Sequence, residues 1–118
     1  MHIPDGFIDI PTSAAFAAIA AVGVAASLKG AKSSLDDKTA PLAGLTATFI
    51  FAVQMLNFPV AAGTSGHLLG AALATVLVGP YAATLALTIV LLLQALLFAD
   101  GGLSALGLSA FNMSIVAV

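Results

Sequence analysis

Charge is what this chain has least of. Its 118 residues include three Lys and five Asp, and no Arg or Glu. Soluble domains are typically about 25 % charged; here the share is 7 %. A small water-soluble globule must cover much of its surface with polar groups, and this chain has too few. That shortage excludes a soluble enzyme, a disordered segment and a nucleic-acid binder. Cys and Trp are absent too. The lack of Cys excludes a disulfide scaffold, thiolate metal ligation and thiol catalysis. The net charge of −2 says less than where the charges lie.

What fills the chain is apolar: 61 % hydrophobic residues and a mean hydropathy of +1.17. All three lysines, Lys29, Lys32 and Lys38, share one short window with Asp36 and Asp37. On both sides the chain is apolar at lengths that can cross a bilayer, which takes roughly 20 residues, or about 17 at the short end. The run from His67 to Phe98, read as one helix, would be about 48 Å long, too long for a hydrocarbon core of about 30 Å. Gly79-Pro80 is the natural place to split it. The expected fold class is therefore an all-α, polytopic transmembrane helix bundle forming a single domain over 1–118. A metal-binding segment occupies 1–10, and spans run over about 12–28, 41–58, 67–78, 82–98 and an incomplete 103–118. The third span rises only about 18 Å, so it must begin deep in the membrane or Val60 to Gly66 must fold in with it, beside a protein-lined cavity. The small residues at Gly66-xxx-Gly70 suit close helix contacts. Because the chain stops inside an apolar segment, we expect it to be the N-terminal part of a longer protein.

The positive-inside rule puts the lysine linker in the cytoplasm and the N-terminus outside. Met1-His2, the loop Pro59 to His67, and Asp100-Gly101-Gly102 then share the extracytoplasmic side. Gln54 and Asn57, three residues apart, are expected on one helix face near that side. Gln94 is placed about 9 Å below Asp100 along a helix. A cleaved signal peptide carries its positive charges before its apolar core. Here Asp5 and Asp9 precede the core and the lysines follow it, so a retained first span is expected.

His2 follows the initiator Met1. A large second residue opposes Met removal and keeps a free α-amine at Met1. That amine, the deprotonated amide nitrogen of His2 and His2 Nδ1 can chelate one metal in fused five- and six-membered rings, with three nitrogens nearly in a plane. His67 is the other histidine of the chain and can close the square. Square-planar nitrogen sites suit Ni(II) or Cu(II), and low-spin Co(II) as well. The ionised amide makes the ligand set singly negative, partly neutralising the ion where a membrane penalises charge. Against this, His67 is expected to begin a helix, whose N-terminus disfavours cations. Asp5 or Asp9 would have to offset that. The bland readings are a solvated terminus for His2 and a satisfied helix-start residue for His67. Asn57, Ser65 and Gln94 are candidates to hydrogen-bond the far side of a ligating imidazole; interhelical bonding is the alternative for each. Asp100, in a DGG sequence, is expected to be a solvated turn residue, with capping or anchoring of the outer loop as the alternative.

Four stretches carry a resemblance: Met-His-Ile-Pro-Asp-Gly-Phe (1–7), Gly-Thr-Ser-Gly-His-Leu-Leu-Gly (63–70), Gln-Ala-Leu-Leu-Phe-Ala-Asp-Gly-Gly-Leu (94–103) and Phe-Asn-Met (111–113). Together they resemble the CbiM/NikM family, CbiM type favoured: substrate-binding membrane subunits of energy-coupling-factor transporters for cobalt and nickel. Ser114 stands where that family suggests Gly. The resemblance implies metal ligands at Met1, His2 and His67. It implies capture of Co2+ or Ni2+ from outside as transported substrate, with no permanent cofactor, supplying cobalt for cobalamin biosynthesis. Implied partners are a coupling transmembrane subunit and ATPase subunits (CbiQ- and CbiO-like) and a small accessory membrane subunit (CbiN-like). The chain has no G-x-x-x-x-G-K-[ST], so ATP would be hydrolysed by those partners. Gly63 to Gly66 reads as a flexible turn presenting His67.

Three other readings compete with this one. A nickel-specific subunit of the same type uses the same four nitrogens. An intramembrane enzyme needs a nucleophile and base at depth, and the expected spans offer no Asp, Glu, Lys, Cys or His there. A non-catalytic structural membrane subunit would leave the polar residues of the outer layer without a task.

Overall fold

A computed structural model describes residues 2–62 and 64–118, with the backbone alone at Thr64. It is mainly helical: α1 (Ile10–Ser34), α2 (Thr39–Gln54), α3 (Ala71–Val78), α4 (Pro80–Leu97), α5 (Leu106–Ala110) and a π-helix (Phe111–Val116) that continues α5. Strands β1 (Phe58–Ala61) and β2 (Thr64–Gly66) pair antiparallel, Phe58 opposite Gly66 and Pro59 opposite Ser65, with an irregularity between Pro59 and Ala61.

Sequence signals explain the boundaries. Asp9 caps α1, its carboxylate accepting from Thr12 N–H at 2.7 Å, and Pro11 lies in the first turn, where its missing N–H costs nothing. Asp36 does the same before α2, accepting from Lys38 and Thr39 N–H at 3.0 and 2.7 Å. Gly79 separates α3 from α4 with φ 81° and ψ 164°, a conformation open essentially to glycine, and Pro80 opens α4.

Helix α4 is the axis of the bundle, packed against α1, α2 and α3. Its buried Ala82, Ala83 and Leu87 meet Ile50 of α2 and Ala71, Ala74 and Val78 of α3. Leu91 meets Ala20 of α1 and Ala110 and Met113 beyond. Where Gly107 of α5 passes α1, a Cβ would collide with the backbone of Ala17; the missing side chain permits the approach. Among the described residues, α1 and α4 are long and apolar enough to cross a membrane. Val22, Leu45, Val76 and Leu97 are exposed, as a lipid-facing surface allows and a watery one penalises.

The structure corrects five expectations. The fold is not all-α, because the 58–66 stretch pairs as a hairpin. Its carbonyls find partners across strands instead of along a helix axis, and Phe58 and Val60 pack over Gly66. Gly66 and Gly70 therefore lie outside any helix and form no helical small-residue stripe. Helix α2 ends at Gln54, so Gln54 and Asn57 do not share a face: Gln54 is buried and Asn57 exposed. His67 does not begin a helix; Gly70 takes φ 78° with Ile50 against it, delaying α3 to Ala71. Finally, Asp100 is not a helical rise above Gln94. The chain doubles back after Leu97, and Asp100 N–H donates to the Gln94 carbonyl at 3.0 Å. Ser114, where the resemblance suggests Gly, is fully buried and its hydroxyl donates to the Ala110 carbonyl at 2.6 Å.

Candidate metal centre

Two imidazoles from opposite parts of the sequence meet at one end of the bundle. The rings of His2 and His67 are 5.0 Å apart between centroids and inclined by 32°. Both are buried: the His2 side chain is 4 % exposed and His67 6 %.

The N-terminal strap is held by the loop that follows α4. Gly102 N–H donates to the Ile3 carbonyl at 2.8 Å. The Asp5 carboxylate accepts from Ser104 N–H at 2.8 Å and from Ser104 Oγ at 2.5 Å. These two donors hold the exposed Asp5 carboxyl below the usual range. Gly102 is required here, since a Cβ would overlap the backbone nitrogen of Asp5. Gly101, at φ 99°, lies under the His2 ring, where a Cβ would come 2.8 Å from His2 Cβ.

The hydrogen bonds define which ring nitrogens carry lone pairs. His2 Nε2 lies 2.9 Å from Gln94 Oε1. An amide oxygen only accepts, so Nε2 bears the proton and Nδ1 the lone pair. His67 Nδ1 lies 2.9 Å from the Leu68 carbonyl, again only an acceptor, so its Nε2 bears the lone pair. His2 Nδ1 and His67 Nε2 are both buried without a hydrogen-bond partner among the described residues. Asp100 Oδ1 stands 3.3 Å from His2 Nδ1, a close contact but not an aligned hydrogen bond. Burial lowers the His2 pKa, Asp100 opposes that and His67 adds to it; the net direction is down, which keeps the imidazole neutral and able to ligate.

With metal–nitrogen bonds of about 2.0 Å, two ligating rings at adjacent corners of a square have centroids roughly 4.5 Å apart. The observed 5.0 Å is close to that. Among the described residues no group of three or more His, Cys, Asp or Glu side chains converges. The His2 main-chain amide is a further nitrogen beside the ring; Met1, the expected amine ligand, lies outside the described residues.

The other expected residues divide. Gln94 is fully buried and touches His2 directly. Ser65 is exposed on β2 and Asn57 exposed before β1. Two residues carry more than the sequence suggested. Asp100, expected as a solvated turn residue, has Oδ2 buried and Oδ1 against His2. Gln54 is 1 % exposed and its Nε2 donates to the Leu69 carbonyl at 2.6 Å. A lone Gln inside an apolar segment was the available signal for it.

The mainly helical bundle thus combines an apolar surface with two neighbouring buried imidazoles, each with one unpartnered ring nitrogen among the described residues. Comparison with known proteins identifies the family. Residues 2–118 match the family profile described as CbiM, cobalt uptake substrate-specific transmembrane region. The chain is 36 % identical to the cobalt transport protein CbiM of Geobacter sulfurreducens over 118 residues, covering 98 % of this chain and 34 % of that protein. It is 47 % identical to a protein of Archaeoglobus fulgidus provisionally named a fused nickel transport protein, NikMN, covering 100 % of this chain and 39 % of that one. A crystal structure described as a truncated transition metal transporter superposes with a TM-score of 0.90 at 39 % identity, over 97 % of this chain and 53 % of that one. The chain belongs to the CbiM family. It spans about half or less of the length of these relatives.

Proposed function

We propose that this chain captures Co2+ or Ni2+ as substrate of a membrane importer. Four nitrogens hold the ion: the Met1 α-amine, the His2 amide, His2 Nδ1 and His67 Nε2. The observation that carries this is the hydrogen-bond pattern of the two rings. Gln94 and the Leu68 carbonyl occupy the far nitrogens of the two rings, leaving lone pairs on the two buried nitrogens. Orienting partners of this kind raise ligand basicity and fix ring direction.

The fit to the family extends the reading. The chain forms about five spans of a larger transmembrane domain, with the N-terminus outside and the lysine linker in the cytoplasm. Energy for release comes from a CbiQ-like coupling subunit and CbiO-like ATPase subunits, since this chain offers no phosphate-binding loop. The fused NikMN name of one relative supports a CbiN-like accessory partner. The CbiM names favour cobalt, supplied to cobalamin synthesis; a nickel-specific subunit is the second reading, on the same four nitrogens.

The test is to extend the chain by one residue before Met1. Co(II) and Ni(II) titration of the purified protein, with uptake in cells, reports the result. Loss of binding is expected, as for His2→Ala. Unchanged binding by the extended chain would refute the chelate. For topology, a cysteine replacing exposed Phe7 should react with an impermeant thiol reagent added outside. One replacing exposed Asp37 should not.

A further inference from the structure

The metal-binding reading uses His67, yet nothing in it explains why the segment carrying that ring holds still. Residues 67–70 belong to no helix or strand. Irregular backbone at membrane depth survives only when its polar groups are satisfied internally. Three of their carbonyls have defined partners. The Leu68 carbonyl takes the His67 Nδ1–H. The Gly70 carbonyl takes Ala74 N–H at 3.0 Å, in the first turn of α3. The Leu69 carbonyl, between them, takes a side chain from another element: Gln54, the last residue of α2.

We infer that Gln54 is a positioning residue for the metal site, clamping the Leu69 carbonyl so that the His67 ring is held toward His2. The inference rests on His67 being a metal ligand. Three observations carry it. The bond is short, 2.6 Å, and ties this irregular segment to the end of α2. Gln54 is 1 % exposed, so water does not compete for its amide. The clamp lies one residue beyond the Leu68 carbonyl that orients the His67 ring. Loss of the clamp would free the Leu69 carbonyl to rotate, and the adjoining peptide with it. The Leu68 carbonyl would then swing, and the imidazole would follow. Each histidine thus has its own buried glutamine. Gln94 acts on His2 through the side chain, and Gln54 acts on His67 through the main chain.

A purely structural Gln54, satisfying a buried carbonyl and nothing more, makes a different prediction. The experiment compares purified wild type, Gln54→Met, Thr88→Val and His67→Ala in detergent, using Ni(II) titration, the visible d–d band of bound Ni(II), and thermal unfolding without metal. Gln54→Met keeps length and removes the donor. Thr88→Val removes a hydroxyl that donates to the Thr84 carbonyl at 2.7 Å in α4, away from the histidines. Gln54→Met is expected to lower Ni(II) affinity about 10- to 100-fold, the usual cost of losing an outer hydrogen-bond partner, and to shift the d–d band. Thr88→Val should lower stability with affinity and band unchanged.

Wild-type affinity and an unmoved band in Gln54→Met would overturn the inference. So would an equal affinity loss in Thr88→Val, because general loosening would then explain both. If Gln54→Met does not fold, Gln54→Asn keeps the amide but shortens its reach by one methylene, and the same band shift is required of it. The metal-binding reading fails separately: wild type without a planar Ni(II) band, or His67→Ala binding like wild type, removes it and this inference with it.

Discussion

At the histidine end of the bundle, His2 bonds Gln94 across 92 positions of sequence, Asp5 bonds Ser104 across 99, and Gln54 reaches Leu69 across 15. At the lysine end, Asp36 bonds Lys38 and Thr39, two and three residues on, and the Ser33 hydroxyl bonds the Gly30 carbonyl three residues back. His2–Gln94 and Gln54–Leu69 are withdrawn from water, whereas Asp5–Ser104 and the bonds at the lysine end are exposed. The difference teaches where the polar groups matter. Local, solvated bonds cap helices and are replaceable by water. Long-range buried bonds have no such substitute, because an unmet donor or acceptor in an apolar interior keeps its full desolvation cost. A chain with so few polar side chains has concentrated them where they fix one arrangement of distant segments.

The comparison can be broken from the histidine end first. His67→Ala removes a proposed ligand, and Co(II) or Ni(II) affinity should fall by more than about 100-fold, beyond the loss of any outer partner; isothermal titration measures it. Gln94→Leu comes next. It leaves the His2 Nε2 proton without an acceptor, and affinity should drop on the order of 10- to 100-fold, with the His2 tautomer mixed by nitrogen NMR.

A smaller effect concerns pH. The folded protein lowers the His2 pKa from 6.5, chiefly by burial. A depressed pKa favours the unprotonated form in the fold. The metal-free protein should therefore keep its full stability above about pH 6.5 and lose it as pH falls through the lower folded value. Thermal unfolding followed against pH should show this slope in wild type and not in His2→Ala. The smallest effect is expected at the lysine end. Asp36→Ala should weaken the start of α2 and leave metal affinity unchanged by titration; a changed affinity there would show that the two ends are coupled.

Much of the helical layout was legible because it depends on local chemistry. Asp9 and Pro11 mark the start of α1, and Gly79-Pro80 marks a break, since a residue at φ 81° and a missing N–H act without reference to the rest of the chain. The hairpin was not legible. Pro59 to His67 reads as a loop with a Gly-Thr-Ser-Gly turn, and only the pairing of Phe58 with Gly66 and Pro59 with Ser65 makes it a hairpin. Gln54 and Asn57 looked like neighbours on one face until the helix ended between them. Asp100 looked like an ordinary DGG turn. Its approach to His2 depends on the chain doubling back onto Gln94.

By itself the sequence determined the solvent this protein suits, the break at Gly79-Pro80 between α3 and α4, and which side chains carry nitrogens that could serve a metal. These follow from composition, from residue-level backbone preferences and from the short list of side chains with lone pairs. The tertiary structure alone decided that His2 and His67 share one interior, which of their ring nitrogens are left as donors, and that two buried glutamines stand behind them. Those outcomes depend on contacts between residues as much as 99 positions apart, and no periodicity or local propensity encodes the distance between such groups.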